Sequence, residues 1–119
     1  MRHRNAQRRL GVWSSYRRMM LRNLATSLVL AGKIITTEAR AKELRRQIDW
    51  AITRAKVDEL EAKRDVYSFF TSREAAKRCL EDATKKFANR DSGYTRLFKL
   101  GQRRGDGAEL VLVKLEYAG

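Results

Sequence analysis

Gly93-Tyr-Thr-Arg-Leu-Phe-Lys-Leu-Gly-Gln-Arg-Arg-Gly-Asp-Gly-Ala-Glu-Leu-Val-Leu-Val-Lys-Leu-Glu116 reads as two strands joined by a loop. Residues 94–100 and 109–115 are rich in the aromatic, β-branched and other apolar side chains that suit a pleated, half-buried surface. The connection Gly101-Gln102-Arg103-Arg104-Gly105-Asp106-Gly107 is too long for a two-residue hairpin turn. Its glycines permit positive φ, and two adjacent arginines ride at its tip. Such a loop offers backbone N–H groups and guanidinium forks to an anion such as phosphate; an ordinary solvated hairpin loop is the competing reading. Residues 110–113 are apolar without a break, so either face of the hairpin can be the inner one.

Upstream of the hairpin the pattern is mostly helical. Ser14 or Ser15 can cap a helix running to about Ala31 and stopped by Gly32. Met20, Leu24, Leu28 and Ala31 would face the core, with Arg17, Arg18 and Arg22 opposite. Residues 33–37 form a short strand, and Glu38 opens a long helix whose stripe is Leu44, Ile48, Ile52 and Ala55, flanked by Ala41 and Ala51. Trp50 lies off that stripe. Asp58 can cap a further helix reaching about Phe70, with Ala62, Val66 and Phe69 inside. Thr71 and Glu74 fit a capping box for the next helix, whose stripe is Ala76, Cys79, Leu80, Ala83 and Phe87. Residues 89–93 are a turn into the hairpin. The order α-β-α-α-α-β-β predicts a two-layer α+β domain with a small three-stranded mixed sheet that joins Ile34 and Ile35 to the hairpin.

Charge narrows the function. The 119 residues carry a net charge of +13, unevenly placed. Residues 1–37 hold eight basic side chains and no acid, whereas residues 38–92 hold 14 basic and 11 acidic ones. A near-balanced body behind a basic front suggests a polyanionic partner, nucleic acid first and an anionic membrane surface second. Residues 1–13 are read as a basic arm that orders on phosphates, with Arg2, Arg4, Arg8, Arg9 and His3 as its contacts; a frayed terminus is the alternative. Residues 14–119 are read as a single globular domain.

Other chemistry finds little support. One cysteine and one histidine cannot make a His/Cys metal cluster, and Cys79 in an apolar stripe reads as a small core residue. No apolar stretch is long enough for a membrane helix, and the arginine-rich start followed by Leu-Ala-Thr-Ser-Leu-Val-Leu is too long-charged for a secretory leader. Ser14, Ser15 and Ser72 are accounted for by helix starts, and no acid, base and nucleophile converge. The reading is a non-enzyme with no cofactor and no small-molecule substrate.

Several motifs occur in register: Met1-Arg-His-Arg, Leu10-Gly11, Arg22-Asn23-Leu24-Ala25-Thr26, Ile35-Thr36-Thr37, Ala41-Lys42-Glu43-Leu44-Arg45, Gly93-Tyr94-Thr95-Arg96, Lys99-Leu100-Gly101 and Arg103-Arg104-Gly105-Asp106. Together they resemble the family of the seventeenth protein of the bacterial-type large ribosomal subunit, over residues 1–115. The resemblance implies a structural constituent bound to large-subunit ribosomal RNA near the exit-tunnel side, beside other large-subunit proteins, in the bacterial cytoplasm. Carried over by motif, the RNA contacts would be the arm arginines with His3, then Arg22, Asn23, Thr36, Thr37, Lys42, Arg45, Tyr94, Arg96, Arg103 and Arg104; Arg17, Arg18 and Lys99 join them as candidate RNA contacts. Arg46 and Gln102 stand where the family often has proline, and Val12-Trp13 replaces a more polar pair, which bears on local stiffness and local RNA contacts. A free DNA-coating protein or RNA chaperone is the alternative reading.

Overall fold

The structure, a computed structural model, describes residues 14–87 and 93–116. Seven elements follow in order: α1 (Ser14–Ala31), β1 (Lys33–Thr37), α2 (Glu38–Ala55), α3 (Leu60–Phe69), α4 (Arg73–Lys85), β2 (Thr95–Gln102) and β3 (Glu109–Leu115). This is the expected α+β order. Gly32 ends α1 as anticipated: its φ is +85°, and its N–H donates to the Leu28 carbonyl at 2.7 Å.

The sheet order is β1-β3-β2, and both neighbouring pairs are antiparallel. The expected mixed sheet is therefore corrected. β1 and β2 do run in the same direction, but β3 lies between them, so no parallel ladder forms. Register resolves the ambiguity of residues 110–113. Val111, Val113 and Leu115 point inward and are buried, while Leu110 and Leu112 alternate to the outer face. Leu100 is an extra residue in β2, since Lys99 pairs with Val111 and Gly101 with Leu110, which makes a bulge.

Helices α1 and α2 pack on the inner face of the sheet, and α3 and α4 pack on those helices. The α2 stripe is as read, with Ala41, Leu44, Ile48, Ala51, Ile52 and Ala55 all buried. The α1 stripe is shifted. Leu21, Ala25, Leu28 and Val29 are buried, Met20 and Leu24 only partly, and Ala31 is exposed. Apolar residues surround this helix, including exposed Met19 and Leu30, so spacing alone does not select a face.

Two helix starts also differ. The residue before α3 is Glu59, and Asp58 pairs with Lys63 at 3.3 Å instead of capping. The residue before α4 is Ser72, with no side-chain cap bond, so Thr71 does not take the capping position expected of it. Thr26 Oγ1 in α1 accepts the Thr71 N–H at 3.1 Å and lies 3.0 Å from its hydroxyl, tying the α3–α4 link to α1.

Candidate nucleic-acid interface

The hairpin tip is built by its own polar groups. Beyond the Gln102–Glu109 pair, Arg103 N–H donates to the Ala108 carbonyl at 2.6 Å and Gly107 N–H to the Arg103 carbonyl at 3.0 Å. Gly105 and Gly107 take φ of +106° and +70°, where an L side chain is strained. The Asp106 carboxylate accepts the Arg103 guanidinium through Nε at 3.1 Å and through a second bond from Nη2. It also accepts the Ala108 N–H at 3.1 Å. The Arg103 hydrogen bond chiefly, and the Ala108 N–H next, hold the Asp106 carboxyl down at about 2. Arg103 is thus a brace, whereas Arg104 and Lys99 are exposed cations with no ion pair among the described residues.

A second basic region lies on α1. Arg17, Arg18 and Arg22 line a surface hollow with Leu21, Gln47 and Phe69. Trp50, 47% exposed, meets the Phe69 ring edge-on at 5.5 Å, so the hollow is bordered by an aromatic ledge. Arg22 serves the fold here. Its Nε donates to the Phe69 carbonyl at 2.6 Å and its Nη2 to the Ser68 carbonyl at 2.7 Å, at the C-terminal end of α3 where helix carbonyls lack partners. Asn23, the next residue along, is exposed.

The remaining expected contacts are dispersed. Thr37 immediately precedes α2 and is half-buried, and Lys42 forms an i,i+4 pair with Glu38 at 3.0 Å. Arg45 is exposed and lies close enough to Asp49 to stabilise its carboxylate. Arg96 pairs loosely with Glu116 at 3.5 Å.

Two expectations meet burial. Thr36 faces inward and is 8% exposed. Tyr94 is fully covered: its ring packs edge-on against Phe87 at 5.3 Å, with the Lys56 ammonium 4.7 Å from its centre. The Tyr94 ring is a core side chain and is not presented at the surface. Arg2, His3, Arg4, Arg8 and Arg9 lie outside the described residues.

Among the described residues no group of three or more His, Cys, Asp or Glu side chains could hold a metal, and no helix is long and apolar enough to cross a membrane.

Comparison with known proteins agrees in extent as well as in kind. The family described as ribosomal protein L17 matches residues 20–116, from within α1 to just beyond β3. The large ribosomal subunit protein bL17 of Clostridium kluyveri is 51% identical over 108 residues, covering 91% of this chain and 96% of the relative. That of Clostridium novyi is 46% identical over 109 residues, covering 92% and 96%. With the match spanning helices and hairpin alike, and each chain covering nearly all of the other, this chain belongs to the ribosomal protein L17 family.

Proposed function

We propose that this chain is a non-catalytic constituent of the large ribosomal subunit that clamps ribosomal RNA through two separated basic elements, near the exit-tunnel side. One element is the hairpin tip. The other is the α1 flank with the residue 1–13 arm that precedes it. The observation that carries the reading is the placing of exposed arginines, Arg103 and Arg104 on one support and Arg18 on another, a braced loop and a packed helix, in a chain of net charge +13.

Neutralising phosphates releases counterions, which supplies much of the affinity. Guanidinium forks and hydroxyls then fix the register on folded RNA, where shape dominates over base sequence. Because one core holds both supports, RNA segments distant in sequence are kept at a fixed separation. The RNA-facing set is Arg2, His3, Arg4, Arg8 and Arg9 of the arm with Arg17, Arg18, Asn23, Thr37, Lys42, Arg45, Arg96, Lys99, Arg103 and Arg104. Arg22 orders the hollow from beneath, and Tyr94 and Thr36 hold the strands that carry the others. Neighbouring large-subunit proteins complete the surroundings, in the bacterial cytoplasm.

The test is competition. Arg103→Ala with Arg104→Ala removes the Arg103–Asp106 brace but leaves the backbone bonds of the loop and the domain core in place, so the variant folds but enters large subunits poorly when co-expressed with wild type. Equal incorporation would remove the hairpin tip from the clamp.

A further inference from the structure

The sheet has an outer face that no described element covers, and its side chains are sorted by row. Pairing register places Lys33, Lys114 and Arg96 side by side across the three strands, then Ile35, Leu112 and Phe98, then Thr37, Leu110 and Gly101. The middle row is apolar and open to solvent, with Ile35 61% and Phe98 42% exposed. The row beside it is cationic and spans about 10 Å, two strand spacings. Among the described residues Lys33 and Lys114 have no ion pair, and the acid next to this row, Glu116, meets Arg96.

We propose that this face is a platform for an unpaired nucleotide of RNA, whose base stacks on Phe98 with Ile35 and Leu112 beside it and whose phosphates lie along Lys33 and Lys114. The proposal rests on the RNA-binding reading above and adds a site to it. Charge and shape support it together. An exposed aromatic ring on an uncovered sheet face offers a stacking surface to any base, an interaction worth most where the base is unstacked. Flanking cations supply the phosphate contacts, and the spacing between rows, about 7 Å, keeps base and phosphate contacts distinct. A protein partner burying so narrow an apolar row would have to desolvate the adjoining cations or bring acids to them. The arm of this chain, with four arginines and no acid, is repelled by the same row.

The experiment measures binding of the full chain to single-stranded oligoadenylate and, in parallel, to large-subunit ribosomal RNA. Phe98→Ala and Phe98→Leu each weaken oligoadenylate binding about 10-fold, whereas Phe98→Tyr, which keeps a stacking ring, restores it. Lys33→Ala with Lys114→Ala lowers the slope of log affinity against log salt by about 1.4, roughly 0.7 for each phosphate left without its lysine. Circular dichroism confirms that the Phe98 variants fold, as its exposed position implies. If Phe98→Leu binds like wild type, no base stacks on the ring and the proposal falls. If no Phe98 variant changes binding while wild type still binds ribosomal RNA, only this site is refuted; if wild type fails to bind ribosomal RNA, the broader reading fails as well.

Discussion

Arg22 separates two roles that the sequence runs together. As a member of an arginine-rich helix flank it reads as an RNA contact, yet its fork is engaged by the Phe69 and Ser68 carbonyls at 2.6 and 2.7 Å. Arg22→Ala removes both bonds and the positive charge at the C-terminal end of α3. Each bond from a charged donor is worth about 1.5 kcal/mol at the low end, but the Nη2 bond is exposed to water and the freed carbonyls can be rehydrated, which brings the loss to about 2 kcal/mol. For a chain of this size that is a fall in Tm of about 8 °C. Arg22→Lys keeps the charge but replaces a planar fork with a point donor that cannot serve both carbonyls, so it loses about 1 kcal/mol. The assay is urea unfolding of the free chain followed by circular dichroism, with ribosomal RNA affinity measured on the same samples at fixed salt. An Arg22→Ala chain within about 0.5 kcal/mol of wild type in unfolding, but with RNA binding collapsed, would refute this division of roles.

Two further outcomes follow from buried ionisable groups. Cys79 is 2% exposed, and burial, with the Asp82 carboxylate second, pushes its thiol up to about 12. It should therefore resist a thiol-specific reagent at about pH 8 until urea unfolds the chain, and labelling in native buffer at the rate of a free thiol would contradict its placement. Asp49 has its carboxyl raised by desolvation, against the opposing pull of the Tyr94 backbone N–H and of Arg45, and its Oδ1 is buried with no hydrogen-bond partner among the described residues. A carboxyl raised in the folded state contributes stability below its unfolded value and loses it as pH rises through the folded value. Asp49→Asn should then be the more stable chain at neutral pH, with the advantage shrinking as the pH falls toward about 4. A constant difference across that range in unfolding titrations would rule the explanation out.

The elements that were legible in the sequence share a clean period. In α2 the apolar residues other than Trp50 recur mainly on one face, and all six named positions are buried. In α1 they recur on every side, so the face that packs is chosen by neighbours, and of the expected stripe only Leu28 is fully buried. In β3, four apolar residues in a row hide the alternation that the register with β1 and β2 imposes. The site divides in the same way. Exposed arginines at a glycine-rich tip are visible as a local pattern. The commitment of Arg22 is not, because its partners are 46 and 47 residues away in the chain. Nor is the burial of Tyr94, which depends on Phe87 and Lys56 closing over it. The cationic and apolar rows of the outer sheet face exist only once three strands from distant parts of the sequence are set side by side.

An integral RNA-bound part of the large subunit stays with that subunit when the cell is opened. Sedimentation of a tagged chain from a gentle lysate through a sucrose gradient, repeated at high salt, tests it most directly. Co-migration with the large subunit that survives salt is the predicted result, since charge pairs buried between protein and folded RNA are screened much less than exposed ones. Protein at the top of the gradient, or released at modest salt and binding duplex DNA and ribosomal RNA alike, would contradict the account and describe a free nucleic-acid-binding protein instead.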